Sequence, residues 1–262
     1  MRRILLLLAA LCLSVAAFAQ TPPAPPQLTW IRYYEAGPGH EMELTKLLSE
    51  SSKAVFDKLI AEKKVVGWGI AVPMSHTGEP WTHVAYVGFA DWSAVDAMSN
   101  AFEALDAKMA PAELKKMDDQ FAAAMKPNSM RDVVIRHITQ GPPSNLTKPK
   151  YIGVDTYVIK PGRFEDAAGL FNEWPKPIFG DTASKGGKVG PWGLSVQDMV
   201  TTPGWTHMIW YFMNDLTAID EMNAANMALG PMKLKGYDVR LRDLSEPEKH
   251  QGQILRIVYQ QP

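Results

Sequence analysis

The sequence predicts an α+β protein built from two tandem copies of one strand-helix-strand-strand-helix-strand unit. The first observation behind this is a repeat: Trp81-Thr82-His83 returns as Trp205-Thr206-His207, 124 positions later. The second is that this repeat has company. Trp68-Gly69 returns as Trp192-Gly193, Pro38-Gly39 as Pro161-Gly162, and Asp91, Ala94, Asp96 and Met98 as Asp215, Ala218, Asp220 and Met222, at spacings of 123 or 124. A fixed period over most of a chain marks a duplicated folding unit. The third is that period-two and helical apolar patterns follow one another in the same order in both copies.

The chain opens Met1-Arg2-Arg3, runs apolar from Ile4 to Ala17 and reaches Ala17-Phe18-Ala19. A basic start, a short apolar run and an A-x-A site read as a secretory signal peptide over residues 1–19. The run is too short for a good transmembrane span, and no later stretch is long and apolar enough for one. The expected location is therefore periplasmic or extracellular. Cleavage would remove the only cysteine, Cys12, so disulfide and thiolate chemistry are not expected. It would also take Arg2 and Arg3 from the 27 basic residues set against 28 acidic ones, leaving a net charge of −3. Such a balance gives no attraction to nucleic acid or to an anionic membrane. Four prolines make residues 20–27 a short extended tether.

The first copy, residues 28–140, opens with a strand over 28–35, in which Trp30, Arg32 and Tyr34 alternate with Ile31, Tyr33 and Glu35. Pro38-Gly39 turns the chain. Leu44, Leu47, Leu48, Val55, Phe56 and Leu59 make a helical apolar stripe over 40–63. Strands follow over 65–73 and 81–90, separated by a turn at 75–80. A second helix starts at Ser93, where Asp96 suggests a relative of the capping box. Pro111 interrupts it, and a further helical piece covers 112–125. Residues 131–139 form the fourth strand. Residues 141–150, with Gly141, Pro142, Pro143 and Pro149, are the linker.

The second copy, residues 151–262, repeats the order. Strands are expected over 151–159, 189–197, 205–213 and 253–259, with a helix from Thr217 that repeats the cap with Asp220. Its first helix departs from the pattern. Pro175, Pro177, Gly180, Gly186 and Gly187 break it, so residues 172–188 read as a short helix and a loop that could wall a pocket.

This element order is the split βαβ, ferredoxin-like arrangement, an antiparallel sheet with helices on one face. The bare face must be buried, and two copies in one chain can bury theirs together, sheet to sheet, as an intramolecular α/β barrel. The strand ending at Asp91 before a capped helix, the paired Gly turns and the Trp-Thr-His strands resemble the dimeric α/β-barrel superfamily in tandem form. That superfamily includes monooxygenases of the antibiotic-biosynthesis type, haem enzymes such as chlorite dismutase-like proteins and dye-decolorising peroxidases, and muconolactone isomerase-like proteins. The resemblance implies a cavity between two sheets and leaves its use open. It also implies that no second subunit is required to complete the barrel.

Strand alternation nominates the residues of that cavity. His83 and His207 are the candidate catalytic bases. Arg32, Tyr34, Trp81, Asp155, Tyr157 and Trp205 are the candidate ligand contacts. Apolar walls with a few polar groups suit a small aromatic or amphipathic molecule. An imidazole could act as a base near neutral pH, with Arg32 stabilising an enolate or carboxylate. The same residues also fit packing alone. If the register turns His83 beneath the helices, Thr82, Val84 and Tyr86 line the pocket instead, because one step flips every side chain. Arg32 and Asp155 could equally form an ion pair between the copies.

No Glu-x-x-His, His-x-His or Cys/His spacing supports a metal site, and no cofactor is expected. The helices offer only His40, near a start, as a haem ligand. There is no phosphate-binding glycine loop, nucleophile elbow or paired-carboxylate signature to select a reaction. Three readings follow: a cofactor-free oxygenase or isomerase-like enzyme, a non-catalytic binder of a small organic ligand, and a structural or interaction protein with a filled core.

Overall fold

A computed structural model describes residues 26–75, 80–141, 146, 148–174, 176, 178–180, 188–200 and 204–261. The expected signal peptide and most of the tether lie outside the described residues. So do the 76–79 turn, residues 142–145 and 147 of the linker, and much of the Pro/Gly-interrupted region. No described helix is long and apolar enough to cross a membrane.

Each copy folds in the expected order. The first contains β1 (Leu28–Tyr34), α1 (Glu41–Ala61), β2 (Val65–Pro73), β3 (His83–Phe89), α2 (Ser93–Asp106), α3 (Pro111–Ala124) and β4 (Arg131–Gln140). The second contains β5 (Tyr151–Tyr157), α4 (Phe164–Glu173), β6 (Val189–Val200), β7 (His207–Met213), α5 (Thr217–Ala228), α6 (Pro231–Leu244) and β8 (Gln251–Gln261). The eight strands close in the order β1-β3-β2-β8-β5-β7-β6-β4. Each copy contributes one ferredoxin-like sheet, and the sheets join edge to edge where β2 meets β8 and β4 meets β6, all antiparallel. Closure leaves no unpaired sheet edge.

Strand alternation sorts side chains between the barrel lumen and the helix layer. On β1, Thr29, Ile31 and Tyr33 line the lumen, whereas Trp30, Arg32 and Tyr34 face the helices. Three apolar clusters result. One lies beneath α1 to α3, around Leu44, Phe56 and Trp68. A second lies beneath the helices of the second copy, around Leu170, Phe171 and Trp192. The third fills part of the lumen, around Ile31, Trp81 and Val133.

The repeated short motifs have local causes. Gly39 and Gly162 sit at φ +81 and +79, in the left-handed region that side chains disfavour. Helices α2 and α5 start where expected, but the cap differs from the expected Ser93–Asp96 and Thr217–Asp220 pairs. The carboxylate of Asp91 accepts the Ser93 backbone N–H at 2.8 Å, and that of Asp215 accepts the Thr217 N–H at 2.9 Å. An aspartate two residues ahead of the donor folds back in an Asx turn, so it outcompetes the residue three positions on. Pro111 does not merely interrupt: it occupies the first turn of α3, where its missing N–H costs nothing.

Candidate functional site

The Trp-Thr-His repeat is divided between two faces of the barrel wall. Trp81 and Trp205 line the lumen. His83 and His207 instead face the helix layer and are almost fully buried there. The expectation that Trp and His share an inward face fails because Trp81 and Thr82 precede β3, which begins at His83. The period of two does not extend back through them.

Thr82 and Thr206 account for the rest of the motif. The Thr82 N–H donates to the Tyr34 carbonyl, and its hydroxyl accepts the Ala36 N–H, both at 2.8 Å. Thr206 repeats this with the Tyr157 carbonyl and the Ile159 N–H, again both at 2.8 Å. Each threonine therefore pins the chain where it leaves the first strand of its copy.

Neither candidate base is placed to meet a ligand in the lumen. His83 Nδ1 lies 2.8 Å from the Thr82 hydroxyl, and Nε2 lies 2.8 Å from the Thr45 hydroxyl and 3.0 Å from the Glu41 carbonyl. His207 keeps the threonine contact at 3.0 Å, but its buried Nε2 has no hydrogen-bond partner among the described residues. Phe164 and Phe171 of α4 pack against that ring. Burial lowers both pKa values, that of His207 to about 4.

The remaining sequence-nominated residues also lie on the helix side. Arg32 and Tyr34 line a separate recess of about 510 Å³ among α1, α2 and α3. The Arg32 guanidinium donates to Asp132 through Nε at 2.6 Å and a terminal nitrogen at 2.9 Å, and Trp30 Nε1 donates to the same carboxylate at 2.8 Å. The Arg32–Asp155 pair, one of the two readings of these residues, does not form, because Asp132 stands directly opposite Arg32 on the neighbouring strand. Asp155 lies 3.5 Å from His250 instead. Tyr157 stacks on His250 with centroids 4.5 Å apart and packs against Phe171. The second copy fills the space equivalent to the recess. Phe179, Tyr211 and Trp192 pack together there, and Tyr211 lies over Gly153, the position corresponding to Trp30.

The lumen holds a larger cavity, of about 640 Å³. Trp81 and Trp205 line it where β3 and β7 begin. Tyr33 packs on Trp81 at 5.2 Å, and the Arg131 guanidinium lies over Tyr33 at 4.8 Å. Further along, the walls are mainly apolar: Ile31, Val84, Val133, Ile135, Val154 and Met208. Tyr86 also lines this space, and its buried hydroxyl has no hydrogen-bond partner among the described residues.

A buried imidazole interrupts the apolar part of the wall, and the sequence alone left it unassigned. His137 on β4 lines the lumen. Its Nδ1 lies 2.7 Å from Ser195 Oγ and its Nε2 lies 2.9 Å from Thr29 Oγ1. Trp210 donates its Nε1–H to the same Ser195 oxygen at 2.9 Å and packs edge-on against the imidazole at 5.3 Å. Burial pushes the His137 pKa down to about 4, so the ring is neutral at pH 7. The repeat could not reveal this site. By strand pairing, Arg136 opposite Leu28 matches Arg256 opposite Tyr151, so His137 corresponds to Ile257 and belongs to one copy only.

No metal-binding group of three or more His, Cys, Asp or Glu side chains occurs among the described residues. The recess also lacks the donor expected of a haem site. No histidine lines it, and His40 is engaged at the surface with Glu43 at 2.8 Å.

No family model matches the sequence, and no curated protein matches it. Solved structures do. A Fusobacterium nucleatum protein provisionally assigned as a monooxygenase is 12% identical, with a TM-score of 0.62 over 91% of this chain and 94% of its own. A Lactobacillus acidophilus protein with the same provisional assignment is 9% identical, with a TM-score of 0.54 over 90% and 94%. An anthrone oxidase-like protein is 9% identical, with a TM-score of 0.52 over 89% and 92%. At such identities the likeness shows the fold: a dimeric α/β barrel of the ferredoxin-like kind, carried by one chain.

Proposed function

We propose that this is an exported protein that binds a small, mainly apolar organic molecule in the barrel lumen. The observation that carries the proposal is the 640 Å³ space walled by aliphatic and aromatic side chains and interrupted by His137. Apolar walls supply the affinity, and a few fixed polar groups supply orientation. The lumen tryptophans provide the test. Titrating the protein with a neutral naphthyl ketone should quench tryptophan emission in a saturable way. Val154→Trp, which projects an indole into the lumen, should weaken that binding while the far-ultraviolet spectrum is retained.

Cofactor-free oxygenase or isomerase-like chemistry is a second reading. The provisional monooxygenase assignments and the anthrone oxidase-like relative favour it. His137, rather than His83 or His207, would be its imidazole. Both ring nitrogens of His137 are already engaged by hydroxyls, which favours holding a ligand over taking a proton from one. Turnover of an aromatic ketone or phenol in air, lost in His137→Phe, would establish the enzymatic reading.

A further inference from the structure

Trp210, Ser195, His137 and Thr29 form a directed chain of hydrogen bonds in the lumen wall. Trp210 Nε1–H can only donate, and its acceptor is Ser195 Oγ. Ser195 is fully buried, and its other polar neighbour among the described residues is His137 Nδ1. The arrangement that leaves no serine proton stranded has Ser195 donating to Nδ1. A neutral imidazole then carries its proton on Nε2 and donates it to Thr29 Oγ1. Thr29 must in turn send its own proton outward, and Thr29 lines the cavity. Each bond in such a chain polarises the next, so the terminal hydroxyl is a better donor than an isolated threonine.

The charged side chains that line the cavity stand elsewhere. Arg131 begins β4, six residues before His137, which is roughly 20 Å along a strand. Glu248 and Lys249 lie in the turn just before β8. Around Thr29 the cavity offers Tyr86, Ile135 and Phe212, with Gln140 donating to the Pro26 carbonyl nearby at 2.5 Å. A carboxylate placed there would lose its hydration and meet no cation. An uncharged oxygen would lose less and gain the Thr29 donor.

We infer that the lumen selects a neutral ligand bearing a hydrogen-bond-accepting oxygen, a ketone, quinone or ether, which the Thr29 hydroxyl receives at the end of the Trp210–Ser195–His137 chain. This rests on the lumen-binding reading above and names the ligand class for the same site. Discrimination comes from the Thr29 donor, set in a mainly apolar stretch of the wall and backed by the chain. A ligand lacking the oxygen leaves Thr29 unpaired, and an anionic ligand is rejected by desolvation.

The test uses the mature protein with Prodan, a neutral naphthyl ketone whose emission reports its surroundings. Thr29→Val keeps the shape of the side chain and removes the donor. Acetylnaphthalene and naphthoate serve as competitors of matched size at neutral pH. The expected result is saturable Prodan binding that weakens by about 5-fold in Thr29→Val, the usual worth of one such bond. Acetylnaphthalene should displace the probe, and naphthoate should not at tenfold higher concentration. His137→Phe, which cuts the chain one step back, should weaken Prodan in the same direction, with a retained far-ultraviolet spectrum as its control. Equal binding to Thr29→Val, or equal displacement by naphthoate, would overturn the inference while leaving lumen binding intact. No binding of either naphthyl ketone would remove both.

Discussion

The Trp210 ring lies across Gly193: a Cβ added to that glycine would stand 2.5 Å from Cζ2 of the indole. The first copy repeats the arrangement. Tyr86 lies across Gly69, where an added Cβ would meet the phenol oxygen at 2.4 Å. The repeated Trp-Gly pair is thus a packing device. Its glycine lets an aromatic side chain from the adjacent strand lie flat against the lumen wall. The barrel is thereby left hollow rather than filled.

Gly193→Ala should therefore destabilise the fold by about 1–3 kcal/mol, the usual cost of overpacking. Urea unfolding checks this. Trp210→Val should relieve part of that cost, so the double variant should be less destabilised than the sum of the single ones.

Thr206→Val should strand the buried Ile159 N–H and lose the link to the Tyr157 carbonyl. An unpaired buried donor costs about 1–3 kcal/mol. Thr82→Val should behave alike through Ala36. Thermal unfolding of both variants would check the equivalence. A change at neither site would mean the motif is held for another reason.

The two buried histidines should respond unequally. His83→Phe removes contacts to Thr82, Thr45 and the Glu41 carbonyl, for a loss of about 1–3 kcal/mol. His207→Phe removes one contact and an unpaired nitrogen, so it should cost less than about 1 kcal/mol. By spacing, Thr45 corresponds to Ala168. Ala168→Thr should couple favourably to His207 by about 1 kcal/mol in a double-mutant cycle with His207→Phe. Neither phenylalanine variant should alter binding in the lumen.

Stability should fall in mild acid. His137 and His207 are held at pKa values of about 4, against an ordinary 6.5, because burial disfavours their charged forms. Below 6.5 the unfolded chain takes up protons that the folded chain refuses. Stability is therefore lost as pH falls from about 6.5 to about 4, by up to ~1.4 kcal/mol per pH unit for each ring, and this source gives no further change above that window. Urea midpoints measured across the window should show a shallower slope in the His137→Phe/His207→Phe variant.

The architecture was legible because duplication writes itself as spacing. Gly39 and Gly162, Asp91 and Asp215, and the two Trp-Thr-His stretches each mark the same structural event twice. The face of the strand was not legible. Period-two alternation assigns sides only relative to where a strand begins, and β3 begins at His83, one residue after the threonine that pins it. Trp81 and Trp205 line the cavity, while the histidines beside them turn outward. His137 escaped for the opposite reason. A search by repetition finds what both copies kept, whereas a site confined to one copy has Ile257 as its counterpart and no internal echo. Only closure of β4 against β6 brings Ser195 to it.

One comparison separates the two spaces in this molecule. Prodan affinity should be measured by fluorescence in wild type, in Val154→Trp, which narrows the lumen, and in Ser52→Trp, which narrows the recess beneath α1. Lumen binding requires that Val154→Trp bind the probe more weakly and Ser52→Trp keep wild-type affinity, with both variants folded. Retained binding in Val154→Trp with loss in Ser52→Trp would contradict it and would move the ligand to the space beside Arg32 and Tyr34.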